Sequence, residues 1–143
     1  MRTVLLTLHV VLAIFLIGPL VSAANQGPRA LTAGDAGGLR LLARVVTVNG
    51  WASIAVGVVG FGLVQRQYGD ELTDPWLLVS ILLFVLATLL VVLLLAPLLR
   101  AATAQAAGGG STGHLAGRVG AVAGVSSLCY LVIAVLMVWQ PGG

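Results

Sequence analysis

Four long apolar stretches, separated by short polar segments, dominate the pattern of residues along the chain. They cover residues 3–23, 42–64, 76–99 and 119–139. An α-helix needs about 20 apolar residues to cross the hydrocarbon core of a bilayer, and each stretch reaches that length. Because a helix satisfies its own backbone hydrogen bonds in lipid, the pattern predicts an all-α fold, an integral membrane bundle of four antiparallel transmembrane helices.

The polar segments between these stretches are too short to fold alone, so residues 1–143 are predicted to form a single transmembrane domain. The first segment, "ANQGPRALTAGDAGGLR", contains glycine, proline and small residues throughout, and the middle one, "QRQYGDELTDP", is acidic. The third segment, "AATAQAAGGGSTGHLAG", includes a run of glycines. Its low-complexity composition predicts a flexible loop.

Composition supports the membrane class and excludes an ordinary soluble domain. Apolar residues make up 59% of the chain and charged residues only 8%, with a mean hydropathy of +1.12, whereas soluble domains carry about 25% charge. The formal net charge is +3, but all seven basic residues are arginines scattered along the chain. The predicted partner is therefore the lipid bilayer and not a nucleic acid.

The arginines also predict an orientation, because cytoplasmic loops carry the excess of basic residues. Arg2 and Arg66 lie on one side of the predicted bundle, and five arginines lie on the other: Arg29, Arg40, Arg44, Arg100 and Arg118. This bias places both termini outside the cytoplasm. Tyr68, Trp76 and Trp139 then fall at the outer interface, where aromatic rings prefer to lie. The absence of lysine favours a GC-rich bacterial source, and hence a multi-pass protein of the bacterial inner membrane.

A cleavable signal peptide is the alternative interpretation of the first stretch. "MRT", an apolar run and "VSA" before Ala24 resemble the three regions of such a peptide. Cleavage would leave three spans and place Arg29, Arg40 and Arg44 outside, which reverses the charge bias. Retention as a first transmembrane helix is therefore favoured.

One ionisable side chain, His9, lies about six residues inside the first predicted helix, roughly 9 Å deep at 1.5 Å per residue. A polar group at that depth is expected to face the bundle interior and to find a partner. Neutral imidazole is the form that ligates metals. The alternative is a structural histidine that is hydrogen-bonded to a Ser, a Thr or a backbone carbonyl of a neighbouring helix.

The stretch "LHVVLAIFLIGPLVSA" resembles the first helix of a bacterial family of uncharacterised four-helix membrane proteins, with Leu8, His9 and Gly18 carrying the match. That family is similar to the copper-resistance D-type membrane proteins and to the haem-binding protoporphyrinogen oxidase of bacterial membranes. In the haem-binding relatives the first-helix histidine is the axial ligand, so the resemblance implies haem b at His9. The absence of lysine and of a second intramembrane histidine argues against porphyrin oxidation.

Small residues at spacings of three and four mark packing faces on the second and fourth helices. Such patterns, including Gly-x-x-x-Gly, let helix backbones approach closely. We expect the two helices to pack against each other or against a neighbour, which includes a second copy of this chain. The residues are Ser53, Gly57 and Gly60 on the second helix and Gly113, Gly117, Gly120 and Gly124 on the fourth.

Other polar residues in or near the spans are interpreted as structural. Arg44 lies near a helix end and can extend to the headgroups, whereas Asn49 lies deeper and is expected to form an interhelical hydrogen bond. The hydroxyl of Tyr130 also needs a partner. His114 precedes the fourth helix on the cytoplasmic side, most of a bilayer away from His9, so the two histidines are not expected to share a haem.

No acidic residue lies in a span, and the sequence contains no zinc-ligand spacing, no catalytic triad pattern and no phosphate loop. The chain is therefore not predicted to be an enzyme, and no catalytic or metal site is assigned. The leading hypothesis is a small bacterial inner-membrane protein of unknown role, for which haem b bound through His9 is the most specific candidate ligand. The alternative is an accessory or assembly subunit of a larger membrane complex, and a transporter is disfavoured by the few polar residues in the spans.

Overall fold

The computed structural model describes residues 1–67 and 73–141, apart from the side chains of residues 2 and 65–67. Within this part of the chain there are four long helices and no strand. Helix α1 covers residues 2–33, α2 Ala36–Gln67, α3 Pro75–Ala107 and α4 Ala116–Trp139, with a 3₁₀ turn at Gly113–Leu115 before α4. All four are long and apolar enough to cross a membrane, which confirms the predicted fold class. Tyr68 lies outside the described residues.

The helices extend beyond the predicted spans into the polar segments. Helix α1 continues to Ala33, so that only Gly34 and Asp35 separate it from α2. Gly34 adopts a left-handed conformation with φ +64°, which glycine tolerates at the end of a helix. Asp35 then caps α2, because its carboxylate accepts a hydrogen bond from the backbone N–H of Gly38 at 3.0 Å. The first connection is therefore a tight turn.

The third polar segment also differs from the prediction. Helix α3 continues to Ala107 and leaves only residues 108–112 between it and the turn before α4. The prediction of a loop over the whole segment is wrong, because its alanine-rich half has a high helix propensity. Thr112 at the end of the loop is buried, and its hydroxyl donates to the carbonyl oxygen of Leu31 at 2.7 Å. This hydrogen bond ties the loop to the end of α1.

Two helices contain a π-helical segment that is followed by a proline. The segment is Ala13–Ile17 in α1, shortly before Pro19, and Leu90–Leu95 in α3, shortly before Pro97. Proline has no N–H to donate, and its ring crowds the carbonyl four residues earlier, so the preceding turn widens into the π pattern. The helices continue through these points because a broken helix would leave backbone groups unbonded in lipid.

The helices form a ring in which each packs against its neighbours, in the order α1, α2, α3, α4. Helices α2 and α4 lie on a diagonal, and their described residues make little contact. Of the two predicted alternatives, packing against each other or against a neighbour, the first is therefore not found among the described residues. Short connections explain the difference, because they make consecutive antiparallel helices nearest neighbours, so that α2 lies between α1 and α3.

The bundle is closely packed at one end and open at the other. The packed end comprises residues 20–46 and 87–126 and is called the arginine end, because five exposed arginines lie on it. Its buried side chains form one continuous core that includes Leu20, Leu39, Val91, Leu99 and Val119. At the opposite end, the N-terminal end, the first half of α1 packs on α2 and scarcely contacts α4 within the described chain. A space among the four helices results.

The outer surfaces of the helices are apolar, as contact with lipid requires. Phe15, Leu82 and Leu128, on three different helices, expose 71%, 68% and 60% of their surface. Exposed apolar surface of this extent is rare on soluble monomers. It fits a bundle whose solvent is the hydrocarbon core of a membrane.

Candidate functional site

A large cavity occupies the space among the four helices at the N-terminal end. Its volume is about 840 Å³, within the range of about 300–1,000 Å³ that is typical of small-molecule and cofactor sites. The lining is almost entirely apolar and comes from all four helices, with residues that include Ile14, Phe61, Phe84, Ile133 and Met137. Because α1 scarcely contacts α4 here, we infer that the cavity opens sideways between them, toward lipid. The cavity can therefore hold a large apolar molecule.

His9 is the ionisable side chain of α1 that lines this cavity. Its Nδ1 atom lies 3.1 Å from the carbonyl oxygen of Val56 on α2. A carbonyl only accepts hydrogen bonds, so Nδ1 carries the proton and donates it. Nε2 is then the unprotonated nitrogen of the neutral ring, and it has no hydrogen-bond partner among the described residues. A backbone carbonyl of a neighbouring helix is the partner predicted for a structural histidine, and such a carbonyl also orients the rings of histidines that ligate metals.

The absence of a side chain at Gly60 leaves the space on α2 that the His9 imidazole occupies. A Cβ atom added to Gly60 would lie 2.8 Å from Cε1 and 3.2 Å from Nδ1 of His9. Real Cβ atoms essentially never approach another atom to within 3.0 Å, so a side chain at this position requires the ring to move. Gly57, one turn earlier, faces Phe84 of α3 in the same way, with Cε1 of the phenyl ring 2.7 Å from an added Cβ. Both residues were predicted to lie on a packing face, and each lies close to a side chain of another helix of this chain.

Tyr130 of α4 forms the wall of the cavity next to Phe84. The two rings pack edge to face, with centroids 6.5 Å apart and planes inclined at 70°. The hydroxyl of Tyr130 is buried behind this wall, close to the hydroxyls of Thr88 and Ser53, but makes no hydrogen bond of good geometry with either. Ser53 donates to the carbonyl of Gly50 at 2.7 Å instead. These groups from three helices form a polar cluster beside the apolar cavity.

The other polar residues singled out by sequence lie away from the cavity. Arg44 is exposed on α2 at the arginine end, and His114 is exposed at the same end beside α4. Asn49 is half-buried and donates to the carbonyl oxygen of Val45 at 3.0 Å. That bond lies within α2, so the prediction of an interhelical hydrogen bond is wrong, because the amide reaches the carbonyl one turn earlier without crossing to another helix.

The glycines of α4 divide into two groups. Gly120 contacts Pro28 of α1, with 3.4 Å between an added Cβ and Cγ of the proline. Gly113, Gly117 and Gly124 are exposed, and an added Cβ would meet nothing within 4 Å at any of them. The packing face of α4 is instead lined by the buried residues Val119, Ala123, Ser126, Cys129 and Tyr130. Most of the predicted glycine face thus points away from the bundle.

Sequence reasoning missed two glycines that matter for packing. A Cβ on Gly27 would lie 2.9 Å from Cγ1 of Val119, and one on Gly50 would lie 3.0 Å from Cγ1 of Val91. Gly27 stands in a segment that was predicted to be a polar connector, and Gly50 follows Asn49 outside the Gly57–Gly60 spacing. The cavity was missed as well, because it depends on how far the first half of α1 lies from α4.

Together, the four apolar helices and the cavity among them define a multi-pass α-helical membrane protein with an apolar cavity at one end of the bundle. The chain matches the family DUF2269, described as predicted integral membrane protein, over residues 3–141. It therefore belongs to that family. Neither the curated proteins nor the solved structures include one with significant similarity to it.

Proposed function

We propose that this protein binds haem b in the cavity at the N-terminal end, where Nε2 of His9 would ligate the iron. The observation that supports this most directly is the His9 imidazole, which lines an apolar cavity of about 840 Å³ and donates Nδ1–H to the Val56 carbonyl. A proximal histidine held by a hydrogen bond to its second nitrogen is a common way to bind haem iron. The resemblance of the Leu8–His9 opening to haem-binding membrane proteins points the same way.

The residues present fit this group in two respects. The imidazole supplies the nitrogen donor, and side chains such as Ile14, Phe61 and Phe84 supply an apolar envelope for the macrocycle. No arginine whose side chain the structure describes lines the cavity. Bound haem would supply one-electron chemistry, while His9 would provide a nitrogen ligand and the apolar lining would exclude water.

A visible absorption spectrum tests the proposal. Protein purified in detergent from haem-sufficient cells is expected to show a Soret band, with α and β bands on reduction by dithionite. A preparation without a Soret band, which also fails to acquire one on titration with hemin, would reject haem binding. N-terminal sequencing that begins at Ala24 would do the same, because the mature protein would then lack His9.

We further propose that the protein's family is related to the copper-resistance D and haem-binding oxidase superfamily.

We also propose that the protein lies in a bacterial inner membrane with both termini outside the cytoplasm. The charge distribution supports the orientation. Five exposed arginines lie at the arginine end, and Asp35 is the only acidic residue in that part of the chain. Arginine-rich ends face the cytoplasm, so the cavity would lie in the outer half of the bilayer.

Single cysteines will report this orientation in a Cys129→Ser background. Thr73 and Ser111 are both exposed, at opposite ends of the bundle. A membrane-impermeant maleimide added to intact spheroplasts is expected to label Thr73→Cys, and to label Ser111→Cys only after permeabilisation. The reverse pattern would show that the arginine end faces outward.

The second candidate is an accessory or assembly subunit that packs against a larger membrane complex or a second copy of this chain. One observation favours it: Gly113, Gly117 and Gly124 are exposed, and a Cβ added at any of them would meet no described residue within 4 Å, although small residues are typical of helix contacts in membranes. Stoichiometric co-purification that Gly117→Leu abolishes would support this role. If light scattering shows that the purified, haem-containing protein is a monomer, the first proposal is favoured. Measured substrate flux in proteoliposomes would support the less favoured hypothesis that the protein is a transporter.

A further inference from the structure

We propose that Gly60 is a positioning residue for His9: the absence of a side chain at position 60 lets the imidazole lie against α2 and fixes which ring nitrogen is free to bind a ligand. The inference deepens the proposed function, on which its relevance to haem rests. Its first test concerns the ring alone and needs no haem.

The argument begins with the space at Gly60. Cε1, Nδ1 and Nε2 of His9 lie 2.8, 3.2 and 3.7 Å from the position of an added Cβ. Cε1, the atom between the two nitrogens, is thus the ring atom closest to the position that a side chain at residue 60 would occupy. An alanine at 60 would meet the ring before it reached this position, and the side chain of His9 would have to rotate away.

The second step concerns the hydrogen bond that the contact allows. With the ring against Gly60, Nδ1 comes within 3.1 Å of the Val56 carbonyl, which lies one turn before Gly60 on α2. This bond selects the tautomer with the proton on Nδ1, and Nε2 keeps its lone pair. A ring pushed away from α2 loses the bond and with it the orientation. Disrupting such an orienting partner typically weakens metal binding about 10–100-fold.

A matched control lies two residues along the same helix. Gly62 has nothing within 4 Å of an added Cβ, so Gly62→Ala adds the same methyl group to α2 without meeting His9. Helix propensity rises equally in both variants. Any difference between Gly60→Ala and Gly62→Ala therefore reports the contact with the imidazole.

The first experiment is ¹⁵N NMR of haem-free protein with labelled histidine, in a His114→Ala background that leaves His9 as the only histidine. The parent and Gly62→Ala are expected to show predominantly the Nδ1–H tautomer. Gly60→Ala is expected to lose that predominance. If Gly60→Ala keeps the same tautomer as Gly62→Ala, the inference is wrong, whether or not the protein binds haem.

The second experiment is a hemin titration of the same three proteins. We expect the Kd of Gly60→Ala to rise about 10–100-fold and that of Gly62→Ala to stay unchanged. Equal affinities in both variants would overturn the inference. If no variant binds hemin but the tautomer changes as described, the haem proposal fails and the positioning role of Gly60 stands.

A stability measurement covers the case in which Gly60→Ala folds poorly. Gly60→Ala is expected to lower the unfolding midpoint relative to Gly62→Ala, and this difference is expected to vanish in a His9→Ala background, where the ring is gone. Such coupling between the two substitutions identifies a direct interaction. A destabilisation that persists without the imidazole would contradict the proposed contact.

Discussion

His9→Ala is expected to abolish the Soret band of the purified protein, whereas His114→Ala is expected to leave it unchanged. The reason is geometric, since His9 lines the cavity and His114 is exposed at the arginine end. Removing an orienting partner of a metal ligand already weakens binding about 10–100-fold, so loss of the ligand itself should raise the Kd for hemin more than about 100-fold. Hemin titration of both variants in detergent provides the measurement.

Loss of fold is a poor explanation for that result, because His9 is only half-buried and its imidazole makes one hydrogen bond with the described residues, to Val56. One such bond contributes about 0.5–1.5 kcal/mol. Helical circular dichroism and the elution volume of His9→Ala should therefore match those of the parent. A His9→Ala variant that retains the Soret band would show that another residue binds the iron.

The second large effect concerns stability. Leu99→Ala is expected to lower the free energy of unfolding by about 2–5 kcal/mol. Leu99 is 0% exposed and lies against Gly27, whose added Cβ would be 3.5 Å from its Cδ2. Within a membrane, helices associate through close packing and not through a hydrophobic driving force, so a void at this contact removes attraction that lipid cannot replace.

Leu82→Ala provides the matched control on the same helix. Leu82 is 68% exposed, and lipid can fill the space that its side chain leaves, so the change is expected to stay within about 0.5 kcal/mol. Unfolding in mixed micelles, followed by circular dichroism, compares the two variants. Equal losses for Leu99→Ala and Leu82→Ala would contradict the assignment of the core to the arginine end.

Much of the fold could be predicted from the sequence, because hydrophobic length alone identifies helices that cross a membrane. The ends of these helices could not. The composition of residues 24–33 predicts a polar connector, yet these residues continue α1. Neighbouring helices cover one side of this segment, so that Ala24, Gly27 and Leu31 are buried. Local composition cannot reveal such tertiary contacts.

The site was only partly predictable for a related reason. His9 was identified because a histidine inside an apolar span is unusual. Its partners, the Val56 carbonyl and the bare backbone at Gly60, carry no polar side chain that would attract notice. The exposed glycines of α4 illustrate the converse, because Gly117 and Gly124 have the spacing of a packing face, but a Cβ added at either would meet no described residue within 4 Å. A spacing rule identifies a surface without identifying what covers it.

The cavity connects these observations to the proposed function. Its walls come from all four helices, so the site requires the complete bundle, and its side between α1 and α4 is not closed by helix contacts in the described chain. An apolar ligand such as haem could therefore reach His9 from within the bilayer. The closely packed arginine end would hold the helices in place while the N-terminal end binds the ligand.

Pulsed electron paramagnetic resonance of the ferric haem complex tests the bond between His9 and iron most directly. In a His114→Ala background, His9 is the only histidine, so ¹⁵N-histidine labelling marks a single imidazole. Coordination as proposed predicts a ¹⁵N coupling typical of a nitrogen bound directly to the iron, absent from the unlabelled sample. Haem bound with identical spectra in the labelled and unlabelled proteins would contradict it.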